Sequence, residues 1–88
     1  MDKIAVIGLG YVGLPLALEF STKYDVIGFD ISKKRVDELC LGIDKTKEVI
    51  KELILESLEK RLKITSREDE LISANIYIVT VPTPITTS

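Results

Sequence analysis

Four apolar residues in succession, Ile4-Ala5-Val6-Ile7, run into a cluster of glycines at positions 8, 10 and 13. An unbroken apolar run suits a central strand of a parallel sheet, which is covered on both faces and shows no alternation. Beyond Gly13, Leu14, Ala17, Leu18 and Ser21 share one helical face with Leu16 and Phe20 beside it. This predicts a helix starting near Tyr11 or Val12 and ending near Lys23, with Pro15 tolerated in its first turn because an N–H there has no helical partner. Val26 to Asp30 reads as a second buried strand. Ser32 is placed to cap a helix carrying Val36, Leu39 and Cys40 on one face, and Gly42 to stop it.

From Glu48 to about Arg61 the pattern is that of an amphipathic cover, with Ile50, Leu53, Ile54 and Leu58 on one face and Lys51, Glu52, Glu59 and Lys60 elsewhere. Lys63-Ile64-Thr65 reads as a short strand. Ser66-Arg67-Glu68-Asp69 has the form of a capping box opening a fourth helix through Ala74, and Ile76 to Val81 as a last strand stopped by Pro82 and Pro84. Strands alternating with helices predict an α/β fold: a partial, doubly wound Rossmann sheet, parallel, with spatial order 3-2-1-4. It holds one mononucleotide-binding half and the opening strand of the second, and the polar tail from Thr83 to Ser88 reads as a cut through a longer protein.

The chemistry concentrates where the first strand meets the first helix. In the run Gly8-Leu9-Gly10-Tyr11-Val12-Gly13, the first glycine allows a sharp turn off the strand, the second leaves room for a pyrophosphate and the third lets the helix pack close to the sheet. The helix that follows aims its unpaired N–H groups and positive dipole end at the same space. Glycines at that spacing alone are weak evidence. Here they follow a strand and open a helix, and an acidic residue, Asp30, ends the next strand about 20 residues on. A carboxylate there accepts from the ribose hydroxyls and repels a 2′-phosphate, so the cofactor expected is NAD rather than NADP. The competing readings are that Asp30 merely ends a strand, or that Lys33-Lys34-Arg35 receives a 2′-phosphate, which Asp30 would oppose. Thr80-Val81-Pro82-Thr83-Pro84 falls at the switch point of the sheet, either as part of the ligand site or as a proline stop with solvated threonines.

Composition narrows the picture further. The 88 residues, 45% apolar and 30% charged, suit one small core, and a net charge of -2 offers no field for nucleic acid. One Cys and no His exclude a disulfide framework and ordinary structural zinc, which fits a cytoplasmic setting. Cys40, at helical spacing from Val36 and Leu39, is expected in the core. No stretch reaches membrane-spanning length, so no membrane partner is expected.

These residues resemble the nucleotide-sugar dehydrogenases that oxidise UDP-glucose, UDP-N-acetylhexosamines or GDP-mannose to uronic acids. The resemblance runs through Ile7 to Ala17, Gly28-Phe29-Asp30 and Thr80 to Pro84, and covers nearly the whole chain. Leu14-Pro15-Leu16-Ala17 and Gly42-Ile43-Asp44 lean toward the UDP-N-acetylhexosamine branch. The resemblance implies that Gly8, Leu9, Gly10, Tyr11, Val12 and Gly13 cradle the pyrophosphate, that Asp30 and Arg35 flank the adenine ribose, and that Thr83 contacts the cofactor. It also implies that the catalytic Cys and Lys, the sugar-binding domain and the dimer-forming helix follow Ser88, and that Cys40 does not match that Cys. The chain is thus expected to be the NAD-binding fragment of a UDP-sugar 6-dehydrogenase in polysaccharide precursor synthesis, inactive alone, with an open edge after Ile76 prone to self-association. Two other classes remain open: a hydroxyacyl-CoA or 6-phosphogluconate type dehydrogenase, and a non-enzymatic NAD-sensing domain.

Overall fold

The computed structural model describes residues 2–10, 12–44 and 51–80. Its elements in chain order are β1 (Lys3–Ile7), α1 (Gly13–Phe20), β2 (Asp25–Phe29), α2 (Lys33–Cys40), α3 (Lys51–Lys60), β3 (Leu62–Thr65), a 3-10 helix (Glu68–Ser73) and β4 (Ile76–Val79). The strands form one parallel sheet in the order β3-β2-β1-β4, as the sequence predicts.

Register sets which side chains share a face. Ile4 stands opposite Val26 and Ile76, Val6 opposite Gly28 and Ile78, and Gly28 opposite Ile64. On that face Ile4, Val6, Val26, Leu62 and Ile64 join Leu14, Ala17, Leu18, Val36, Leu39 and Ile54 from the helices in one core. The opposite face buries Ala5, Ile27, Phe29 and Thr65. The central strand is therefore covered on both sides, which is why β1 shows no alternation.

α1 buries Leu14, Ala17, Leu18 and Ser21, the face expected, although its regular part is shorter than the apolar pattern. Ser32 caps α2 by accepting from the Arg35 N–H at 3.1 Å. Gly42, at φ +82°, ends it: its own N–H reaches the Leu39 carbonyl at 2.9 Å and that of Ile43 reaches Glu38 at 2.8 Å, a Schellman closure. The start expected for the third helix, including Ile50, lies outside the described residues, as do Tyr11 and the expected strand end and proline stop at Val81 to Pro84.

Three expectations need correction. Cys40 is exposed, because the buried stripe of α2 runs through Val36 and Leu39 and Cys40 lies past its edge in the last turn. Leu53 is likewise 49% exposed, since α3 turns Ile54 inward and carries Leu53 away from the sheet. The fourth helix is 3-10, and Ser66 does not cap it: the Thr65 hydroxyl accepts from the Arg67 N–H at 3.0 Å and forms the turn. The crossover must pass from one edge strand to the other over β2 and β1, roughly 14 Å at the usual strand spacing. A 3-10 helix, rising about 2.0 Å per residue, spans more of that distance than an α-helix of equal length.

The core makes one sharp comparison between adjacent leucine-class positions. Ile54→Ala should destabilise by about 2–5 kcal/mol as a large-to-small change at a fully buried site. Leu53→Ala should cost less than about 1 kcal/mol. Urea unfolding of the two variants checks the helix orientation, and equal losses would contradict it.

Candidate functional site

The glycines of the turn divide by what surrounds them. Gly8 has φ +99°, and a Cβ there would overlap the Thr80 carbonyl oxygen. A Cβ on Gly13 would overlap the Gly8 carbonyl oxygen and the Thr80 hydroxyl. Both positions are closed by the fold itself: the end of β1, the start of α1 and the residue after β4 meet with no room for a side chain. Thr80 binds this junction, its N–H donating to the Ile7 carbonyl at 2.8 Å and its hydroxyl to the Gly8 carbonyl at 2.7 Å.

Gly10 is different. Apart from its chain neighbours, no described residue lies within 4 Å of where its Cβ would stand, and its φ is outside the left-handed region. Packing among the described residues does not call for glycine there, and the space is open to a ligand. At the start of α1 the Leu14 N–H bonds the Gly10 carbonyl at 3.0 Å, the Leu16 N–H bonds the Val12 carbonyl at 3.3 Å and Pro15 has no N–H, so the amides ahead of Leu14 are the ones the helix itself does not use. The pyrophosphate of a dinucleotide fits such a cradle: open room over a glycine, with amide donors and a helix dipole behind it.

Leu9 anchors the turn between these glycines. Its side chain is fully buried over Gly28, where a Cβ would come within 3.1 Å of a Leu9 methyl. Its peptide groups are held from two sides. Asp30 accepts from the Leu9 N–H at 2.9 Å through Oδ2 and from the Ser32 N–H at 2.9 Å through Oδ1. Arg35 donates to the Leu9 carbonyl from Nε at 2.9 Å and from Nη2 at 2.6 Å. The remaining arm of the guanidinium, Nη1, donates to Asp44 Oδ1 at 3.1 Å in an ion pair whose side chains are 14% and 1% exposed.

The structure thus brings Gly8, Leu9, Gly10, Val12, Gly13, Asp30 and Arg35 to one corner above the carboxyl ends of β1 and β2. Tyr11 and Thr83 lie outside the described residues. Each Asp30 oxygen is used once by a backbone amide and has lone-pair capacity left for a ribose hydroxyl. Sequence reasoning had named Thr80 only as part of a motif and Asp44 only as part of a family-like tripeptide. Neither role has a local signature: Thr80 acts on a carbonyl 72 positions away, and Asp44 meets Arg35 across the turn that ends α2.

Cys40 takes no part in this corner. Partial desolvation, then the charge of Asp37, push its thiol up from the ordinary range, with Lys33 pulling weakly the other way, so it is held as the poorly nucleophilic thiol. Among the described residues no helix is long and apolar enough to cross a membrane, and no group of three or more His, Cys, Asp or Glu could hold a metal ion.

Residues 2–88 match the model of the UDP-glucose/GDP-mannose dehydrogenase family, NAD binding domain. The chain is 52% identical over 85 residues to a UDP-N-acetyl-D-glucosamine 6-dehydrogenase of Salmonella typhi, an alignment that covers 97% of this chain and 20% of that protein. It superposes with a TM-score of 0.85 and 36% identity on a UDP-D-ManNAc dehydrogenase structure from Pyrococcus horikoshii, covering 96% of this chain and 21% of the other. A (S)-3-hydroxybutyryl-CoA dehydrogenase from Ralstonia eutropha shares the fold alone, at 20% identity and a TM-score of 0.64. The chain thus spans about a fifth of the length of the curated relatives it matches, 20% of the Salmonella protein.

The contrast among the glycines is testable. Gly10→Val should leave helical content and thermal midpoint close to the parent while weakening NAD binding at least tenfold, because a side chain enters only the ligand's space. Gly13→Ala should lower the midpoint steeply, since it collides with backbone. Circular dichroism and calorimetry on both variants read the split, and a Gly10→Val protein with unchanged affinity would remove the pyrophosphate site.

Proposed function

Because the chain belongs to the UDP-glucose/GDP-mannose dehydrogenase family, whose NAD-binding domain it matches over residues 2–88, we propose that it forms the adenosine side of the NAD site of a UDP-sugar 6-dehydrogenase. Such an enzyme oxidises a nucleotide sugar to the uronic acid by two hydride transfers, in polysaccharide precursor synthesis within the cytoplasm. The observation that carries the reading is the joint placement of Asp30 and Gly10. The carboxylate is bonded to the amide of the residue just before the open glycine, so an acceptor for ribose hydroxyls adjoins the space for the pyrophosphate.

Bound NAD would supply the hydride acceptor. The residues of this chain bind and orient it: the amides at the start of α1 face the pyrophosphate, and Asp30 takes the adenine ribose and opposes a 2′-phosphate. Ile31, which follows Asp30 and is 90% exposed, offers apolar surface at the same corner for the adenine ring. Thr83 is proposed to meet the cofactor from the strand end beyond Thr80. A UDP-N-acetylhexosamine as the sugar substrate is supported by the 52% identity to the Salmonella enzyme. The chain reads as the first part of a longer dinucleotide domain, in keeping with its match to 20% of that relative.

β4 supports the same division of labour. Tyr77 is 50% exposed and Val79 63% exposed, and the outer edge of β4 has no neighbouring strand among the described residues. The second half of a dinucleotide fold, which holds the nicotinamide, packs on that side. The chain by itself should therefore bind ADP-ribose about as well as NAD, form no NADH with UDP-sugars, and self-associate through the open edge.

Titration calorimetry with ADP-ribose and NAD, absorbance at the NADH band with UDP-sugars, and sedimentation velocity across a concentration series measure these three properties. Strong preference for NAD, or sustained turnover, would overturn the division; a strictly monomeric chain would overturn the edge pairing. Asp30→Ala should lower NAD affinity by about tenfold, on the scale of a charge-assisted hydrogen bond, and narrow the preference over NADP. Unchanged discrimination would reduce Asp30 to a strand end.

A further inference from the structure

We infer that Asp44 is a specificity-determining residue of the dinucleotide site: it turns Arg35 from a potential 2′-phosphate receptor into a clamp on the Leu9 carbonyl. The inference rests on the reading of this corner as an adenine-ribose site and adds a residue to it. An arginine near the end of the second strand is the side chain that accommodates a 2′-phosphate in NADP-binding relatives of the fold. Arg35 occupies such a position, within the first turn of α2 and close to Asp30. A guanidinium presents its donors as a rigid planar fork, so the direction of one edge sets the direction of the others.

Here the fork is committed elsewhere. Nε and Nη2 point at the Leu9 carbonyl, and Nη1 at Asp44. Asp44 lies just beyond the Schellman closure at Gly42, whose left-handed backbone swings the chain back toward α2. The loop therefore delivers a carboxylate that is 1% exposed onto a guanidinium that is 14% exposed.

Two consequences follow for a ligand at the ribose corner. The guanidinium of Arg35 faces the carboxylate of Asp44, while the charge of Asp30 stands beside the ribose corner and opposes a phosphate dianion. Arg35 is also held in the geometry that fixes the Leu9 peptide beside Gly10. Lys33 and Lys34, the other cations of the run, are exposed, and Lys33 pairs with Asp37 on the surface of α2. Neither takes over the place of Arg35.

The test separates charge from architecture. Asp44→Asn keeps an oxygen able to accept from Nη1 but removes the compensating charge. It should hold ADP-ribose affinity within about twofold and raise affinity for 2′-phospho-ADP-ribose by about threefold or more, as expected for one partly screened unit charge acting on a dianion. Arg35→Gln has the opposite sign: it removes a positive charge from beside the ribose corner, so the preference for ADP-ribose over its 2′-phosphate should widen. A lesion in folding alone would weaken both ligands alike and move neither ratio. Calorimetry with the two ligands, with thermal unfolding as a control, reads all of this on the chain and its variants.

If both ratios stay at the parent value, or move the same way, the inference is overturned while the ribose site stands. If the parent chain binds neither ligand, it is the reading of the corner itself that fails. Should Asp44→Asn not fold, Asp44→Ser, which also removes the charge, decides by the same two ligands: an unchanged ratio overturns the inference.

Discussion

Three stretches of backbone meet at the end of β1 with only the Thr80 hydroxyl between them, and the rest of the structure depends on that approach. Gly8, Gly13 and Thr80 come so close that a methyl group on either glycine would overlap main-chain oxygen. This contact sets α1 against the sheet at its first residue and places β4 beside β1, with the Thr80 hydroxyl bonded to the Gly8 carbonyl. The helix N-terminus consequently opens over the carboxyl ends of the strands, where an anion is favoured by both the free amides and the dipole. Gly10 stands just outside the contact. That is why, among the described residues, it alone of the three has open space where a side chain would stand.

The turn is rigid through Leu9, which belongs to the core and the site together. Its side chain fills the gap above Gly28 in β2, while its peptide groups are gripped by Asp30 on one side and Arg35 on the other. A loop free to fluctuate would lose entropy on binding, whereas one already held by buried packing and charge-assisted hydrogen bonds loses little. The residues proposed to recognise the ribose thus stiffen the glycine turn. Core packing at Gly28 and ligand affinity are coupled through one leucine.

Much of this was legible in the sequence because it is written in local pattern. The unbroken run Ile4 to Ile7 marked a strand buried on both faces, Ser32 and Gly42 marked the ends of α2, and alternation of strands with helices led to the order 3-2-1-4, all as found. The spacing from Gly8 to Asp30 singled out the carboxylate that the structure sets against the Leu9 amide, because both ends of that unit are short and regular. What escaped the sequence depends on contacts between distant residues. The hydroxyl of Thr80 acts on a carbonyl 72 positions away, and no periodicity in β4 announces it. Cys40 and Leu53 were assigned to the core from spacing alone, but a helix can be rolled by part of a turn without changing its pattern, and the neighbours decide which edge is exposed. The 3-10 helix likewise reflects the distance to be crossed, which a capping-box match does not encode.

Burial in the sheet is asymmetric, and the asymmetry follows the chemistry. β2, between β3 and β1, is buried from Val26 to Phe29, whereas β4 leaves Ile76, Tyr77 and Val79 exposed while only Ile78 packs partly against the core. Tyr77 is nonetheless fixed: its hydroxyl lies 2.7 Å from the Leu71 carbonyl and 3.0 Å from that of Ala74, so one donor ties β4 to the crossover that precedes it. Among the described residues β4 is held in register by β1 on one edge and has no strand on the other, and it lacks the charged side chains that commonly blunt a sheet border. Asp30, Arg35 and the turn they hold are placed by described residues up to Thr80. In the function proposed above, recognition of the adenine ribose rests on this part of the fold, and the grip on that end of the cofactor positions the other.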